Sequence, residues 1–236
     1  MSRRLPRSTT LTDQVVHHVR NAVSSGEMTP NKWYSVYQLS EELGISRSPV
    51  REALLRLEEA GLVQFTRNRG FQIRTTSAED VAEIFALRLA LEPAAAGRAA
   101  IYRSDEQVNE LSQLLSYMHS ESLRDRPADF FRYDQNFHDV ILEAGNSSKG
   151  RSIINRLRAN TRLIGVSTAG ESRTFKDIYQ EHLPIFEGIQ SRDPVRAAQS
   201  MEMHLRTTGL LLLQQALPKA SPQEAELVWN RYTSTF

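Results

Sequence analysis

Four side chains of metal-binding type fall at core-facing positions in the second half of this 236-residue chain. Asp134 and His138 are four residues apart, so on a helix they share one face at adjacent turns. Phe130, Phe137 and Ile141 lie beside that face and turn it toward a core. His182 follows Glu181 in a segment that contains Pro184. His204 sits in Met-Glu-Met-His-Leu, on an apolar stripe with Met201 and Leu205. Each residue alone has an ordinary explanation: a core histidine usually bonds a carbonyl, and Asp134 suits a salt bridge. Together they form a His₃Asp set on core-facing helical stripes. Three imidazoles and a carboxylate suit a divalent ion, Zn²⁺ foremost, with Ni²⁺ and Mn²⁺ as alternatives. Helical bundles build metal centres from such inward-projecting ligands. The chain has no Cys, which excludes disulfides and thiolate ligands and fits a reducing cytoplasm.

A second chemistry lies near the N-terminus, in the stretch from Leu39 to Gly61. Leu39 and Leu43 give one apolar face, and Gly44 ends that helix. Ser46 is placed to cap the next helix, and Pro49 fits its first turn, where a missing N–H is harmless. Val50, Leu54 and Leu57 then form a buried stripe. The opposite face shows Arg47, Ser48 and Arg51. A capped helix that is apolar behind, with Ser and Arg at its N-terminal end, is what a helix-turn-helix presents to a major groove. Directly behind it, Val63 and Phe65, then Phe71 and Ile73, alternate with polar residues around Asn68-Arg69-Gly70. This predicts a β-hairpin wing whose Arg67 and Arg69 reach a phosphate or a minor groove.

The elements that must carry these residues are mostly helical. Hydrophobic residues make up 40% and charged residues 24%, a globular composition. Strand-like alternation occurs only near residues 62–74, and Glu27 to Val36 reads as a loop. Thr10 with Asp13 opens a first helix, which Gly26 ends. Residues 1–8 read as a basic arm. Thr75-Thr76-Ser77 is a polar hinge, which sets the expected domains at 1–76 and 77–236. Beyond it, Ser77 caps a long helix carrying Val81, Ile84, Phe85, Arg88, Leu91 and Ala95. A capping box at Ser104 and Gln107 opens the next. Helices are then expected at Asp129 to Ala144, at Ser148 to Thr168 with Ile153, Ile154, Leu157 and Ile164 on its apolar face, and at Lys176 to Gln190. The Pro184 in the last of these makes it begin late or kink. Asp193-Pro194 and Ser221-Pro222 start two more. The fold class is thus mostly α: a winged helix-turn-helix of three helices and a wing, then an all-helical bundle of six to seven helices.

Charge divides along the same line. Residues 1–76 hold 11 Lys/Arg and 7 Asp/Glu, a net of +4; residues 77–236 hold 18 and 21, a net of −3. The first part is the one suited to a polyanion. No apolar run approaches the roughly 20 residues that span a bilayer, and the basic start lacks the hydrophobic region of a signal peptide. The expected location is the cytoplasm, with no membrane partner.

The run Ser46-Arg-Ser-Pro-Val-Arg-Glu-Ala-Leu54 closely resembles the recognition-helix signature of GntR-type transcription regulators, and the likeness covers residues 10–75. It implies DNA contacts by Ser46, Arg47, Ser48 and Arg51, and by Arg69 and Gly70 in the wing. Many members have a Glu-Arg pair at the start of the second helix; here Val36 and Tyr37 stand there, so Tyr37 is left to donate to a phosphate. The segments Tyr-Asp-Gln-Asn-Phe-His-Asp, Ala-Gly-Asn, Glu-His-Leu-Pro-Ile-Phe-Glu-Gly-Ile and Met-x-x-His-Leu resemble the FCD sensor domain of the FadR branch, over residues 78–215. The resemblance implies a metal at Asp134, His138, His182 and His204. It also implies a small carboxylate or sugar-acid effector, and it places Arg88 toward the effector cavity, where a salt bridge to Glu92 at i+4 is the competing role. The expected protein is a homodimeric, ligand-responsive regulator, of the repressor kind, that binds a pseudo-palindromic operator and is not an enzyme. The alternatives are a metal-dependent enzyme with an accessory DNA-binding domain, or a regulator whose metal is purely structural.

Overall fold

The computed structural model describes residues 10–234 apart from 60, 75–76, 125, 163–172 and 218, and leaves the side chains of residues 24, 128 and 159–162 undescribed. The chain divides into two compact units: the second takes in Ser77–Arg158 and the described residues from 173 onward, and the first takes in the residues before Ser77 together with residues 159–162, the end of the helix Ser148–Arg162.

The first unit begins with α1 (Leu11–Ser24), whose N-cap Thr10 forms a full capping box with Asp13. Next come β1 (Trp33–Tyr34), α2 (Val36–Glu42) and α3 (Arg47–Glu59). The wing strands β2 (Val63–Thr66) and β3 (Gly70–Ile73) complete it. Val15 and Val19 of α1, Val50, Ala53, Leu54 and Leu57 of α3, and Phe71 and Ile73 of the wing share one core. That burial fixes which face of α3 is left in solvent. The loop expected at Glu27 to Val36 contains β1, which pairs antiparallel with β3 in a sheet ordered β1-β3-β2. Two residues are too short to show alternation. Tertiary contact makes this strand: the Tyr34 and Phe71 rings stack at 5.5 Å.

The second unit is all-helical among its described residues: α4 (Ala78–Tyr102), α5 (Asp105–Arg124), α6 (Pro127–Ala144), α7 (Ser148–Arg162), α8 (Phe175–Gln190), α9 (Pro194–Ala216) and α10 (Pro222–Thr233). Predicted caps are present at Ser77, Asp193 and Ser221, and Ser104 Oγ accepts from the Gln107 amide. The α4 helix packs along α9, while α5 packs on α6 and α8. Two arginines tie helix ends together: Arg103 Nη2 donates to Gln190 O (3.0 Å) and Arg192 Nη1 to Ile101 O (2.9 Å). Each places a cation on orphan carbonyls at a helix C-terminus.

Two local expectations change. Helix α8 starts at Phe175 and runs through Pro184, because Ile178, His182, Ile185 and Ile189 bury one continuous face that outweighs the missing hydrogen bond. Ile153 is 39% exposed, and Ile154 is the buried residue of that turn. Residues 1–8, Thr75-Thr76 and the predicted continuation of α7 from residue 163 to 168 lie outside the described residues.

Candidate functional site

In the helical unit, α6 supplies Asp134 and His138, α8 supplies His182, and α9 supplies His204. All four are buried, and one ligand atom from each lies within 4.8 Å of the others. Ring centroids are 4.3 Å apart for His182 and His204 and 5.4 Å for His138 with either. Two atoms each about 2.1 Å from one ion cannot be more than about 4.2 Å apart, and are about 3.4 Å apart in a tetrahedron, so a pair at 4.8 Å must close by at least about 0.6 Å around an ion.

The hydrogen bonds behind the rings decide which nitrogens point where. His138 Nδ1 lies 2.6 Å from Glu92 Oε2, His182 Nδ1 2.7 Å from Ile178 O, and His204 Nδ1 2.9 Å from Glu181 Oε2. Carbonyl and carboxylate oxygens only accept, so each Nδ1 carries the proton and donates it. Nε2 is then the lone-pair atom of every ring. Nε2 of His138 and of His182 are buried with no hydrogen-bond partner. His182 Nε2 is 3.1 Å from Asp134 Oδ1, a hydrogen-bond separation without hydrogen-bond alignment. Unmatched buried polar atoms are costly. A divalent ion among these atoms would satisfy them together, so the residues present fit a metal.

Electrostatics keep the set in its ligand form. Burial, then the Arg158 charge, pushes His138 down to about 4, against the pull of Glu92. Burial and the two neighbouring imidazoles hold His204 well below the usual imidazole value. Both are therefore neutral near pH 7, the state that coordinates metals. Burial alone would raise Asp134, but the charge of Arg158 foremost outweighs it and holds the carboxyl well below its usual range.

Around the four stands a shell that sequence reasoning largely missed. Arg158 of α7 pairs with Asp134 Oδ2. Glu181 Oε2 takes both His204 and Arg173, whose other end donates to Thr208 Oγ1 at 3.1 Å. Glu92 is 1% exposed and binds His138 through one oxygen and Arg88 Nε through the other, at 2.6 Å. Burial would raise its carboxyl, and the Arg88 and His138 charges pull it below the ordinary value instead. Of the two roles weighed for Arg88, the ion pair with Glu92 is present. Asp139 accepts from Asn155 (3.3 Å) and Arg151 (3.4 Å), tying α6 to α7. The only sequence signal for this shell was the Arg88–Glu92 spacing.

In the first unit, α3 and the wing flank a recess of about 180 Å³ lined by Tyr37, Arg47, Arg51, Asn68, Arg69 and Gly70, among others. Ser46, Ser48 and Arg67 are exposed but do not line it. Gly70 has a structural reason of its own. Its φ is +106°, and a Cβ there would lie 2.1 Å from Tyr34 O.

A family model described as bacterial regulatory proteins, gntR family, matches residues 11–73, and one for the FCD domain matches residues 83–207. The chain belongs to the GntR family of transcription regulators and carries an FCD domain. It is 28% identical to the HTH-type transcriptional repressor RspR of Escherichia coli strain K12, over 82% of this chain and 85% of that protein. It is also 28% identical to the gluconate operon transcriptional repressor of Bacillus licheniformis, over 89% and 90%. Among solved structures, E. coli McbR/YncC superposes with a TM-score of 0.72 at 21% identity, covering 88% of this chain and 99% of that one. At that identity the likeness bears on the fold.

Proposed function

We propose that this regulator is a homodimeric repressor in the cytoplasm whose helical unit holds a divalent ion, Zn²⁺ foremost, at Asp134, His138, His182 and His204 and senses a small organic acid there. The observation that carries the metal reading is the pair of buried, unmatched Nε2 atoms on His138 and His182, each with its Nδ1 tied from behind. When bound, the ion would supply positive charge that a carboxylate effector could meet. The chain's own part is to keep His138 and His204 neutral by burial and to orient all three imidazoles through Glu92, Ile178 O and Glu181. Arg88 Nε is committed to Glu92, so an effector contact by Arg88 would use its other guanidinium nitrogens.

On the DNA side, the proposed contacts are Tyr37, Ser46, Arg47, Ser48, Arg51, Arg67, Arg69 and Gly70. A single helix-turn-helix makes few specific contacts, which favours a homodimer on a pseudo-palindromic operator. The names of the two relatives above favour repression. An effector that lowers operator affinity must, by linkage, bind the DNA-free protein more tightly by the same factor.

A thermal-shift screen of small carboxylic and sugar acids, with and without chelator, tests the sensor. An acid that stabilises only the metallated protein is expected. An acid that stabilises the chelated protein equally well would place the effector away from the metal.

A further inference from the structure

Exposed arginines usually sample many rotamers, but two of those assigned to DNA are held. Arg69 Cζ lies 4.2 Å from the centroid of the Trp33 ring, and Arg47 Cζ lies 5.1 Å from that of Tyr37. The two rings come from elements other than those bearing the arginines: Trp33 from β1, Tyr37 from the first turn of α2. Arg47, Arg51 and Arg69 all line the recess between α3 and the wing.

We propose that Trp33 and Tyr37 are positioning residues for DNA binding: each ring holds one guanidinium, so that Arg69 of the wing and Arg47 of α3 face each other, with Arg51, around a single backbone phosphate of a duplex. The proposal rests on the DNA-binding reading above. A guanidinium stacked flat on a ring keeps its N–H edge for a phosphate. Its rotamer is already restricted, so less conformational entropy is lost on binding. Trp33 is itself fixed, half-buried and opposite Gln72 in the β1–β3 pairing. Tyr37 sits in the first turn of α2, where the neighbouring Glu41, one turn on, pushes its phenol up, with burial adding to it. Toward Arg47, Tyr37 contributes its ring face.

The test uses the full chain and a labelled duplex that the wild-type protein selects from a randomised double-stranded pool, with affinity read by anisotropy over a range of salt. Trp33→Leu and Tyr37→Leu should each weaken binding roughly two- to fivefold, while Trp33→Phe and Tyr37→Phe retain most of it. Arg69→Ala should weaken binding and take about one unit off the slope of log K against log salt. Trp33→Leu should leave that slope unchanged and add nothing in the Arg69→Ala background. Wild-type affinity in Trp33→Leu overturns the proposal. So does a Trp33→Leu loss that persists without Arg69, because the ring would then only be building the strand. A wild-type protein that enriches no duplex from the pool overturns the DNA reading itself, a separate and recognisable failure.

Discussion

The three imidazoles of the proposed metal centre differ in what holds Nδ1, and this ranks their supports. Ile178 holds His182 with a backbone carbonyl, which no side-chain substitution removes. Glu92 holds His138 from a site 1% exposed and is locked by Arg88, whereas the Glu181 side chain is 24% exposed and shared between His204 and Arg173. Glu92→Gln should therefore weaken metal binding about 10- to 100-fold, and Glu181→Gln by less, as read by competition with a chromogenic chelator. Equal metal affinity in Glu92→Gln and wild type would remove Glu92 from the site. The clustering of these four side chains was legible in the sequence because helical spacing joins Asp134 to His138 and apolar stripes flank His204. Their supports were not. Glu92 meets His138 across 46 residues of sequence and Arg158 meets Asp134 across 24, and such pairings exist only once the helices have packed.

At the scale of elements, capping chemistry was read well because it is local. Thr10 with Asp13, Ser77 with Asp80 and Ser221 with Glu224 each close a box within four residues. Features that depend on a distant partner were not readable: β1 exists because β3 is beside it, and Pro184 is tolerated because α8 buries a whole face. Two glycines mark where elements approach most closely. Gly70→Ala puts a Cβ against Tyr34 O at a positive φ, so it should destabilise the winged-helix unit by about 1–3 kcal/mol and lower DNA affinity. An unchanged denaturation midpoint would show that the wing relaxes freely. At Gly209 a Cβ would lie 2.2 Å from Trp229 Cζ3 and 2.9 Å from Phe85 Cδ1. Gly209→Ala should therefore lever α10 away and shift Trp229 emission to the red. Emission identical to wild type would mean that the α9–α10 contact has slack.

Across the whole molecule, charge and chemistry divide along the chain. The net +4 of residues 1–76 accompanies the arginine-lined recess, and the net −3 of residues 77–236 accompanies the histidine cluster. Two responses should follow and should be separable. Duplex affinity should fall linearly on a log–log plot against salt, because phosphate contacts release counterions, and a flat profile would argue against groove docking. Chelation should lower the melting of the helical unit, since an ion present at 100 times its dissociation constant stabilises by about 2.7 kcal/mol. Melting unaffected by chelator would mean that no resident ion supports that unit. The central claim, that Asp134, His138, His182 and His204 hold a divalent ion, is tested most directly by elemental analysis of the purified protein beside a His138→Ala, His204→Ala variant. About one ion per chain in the wild type and none in the variant is predicted. A metal-free wild type, or a variant that keeps its full complement, would contradict it.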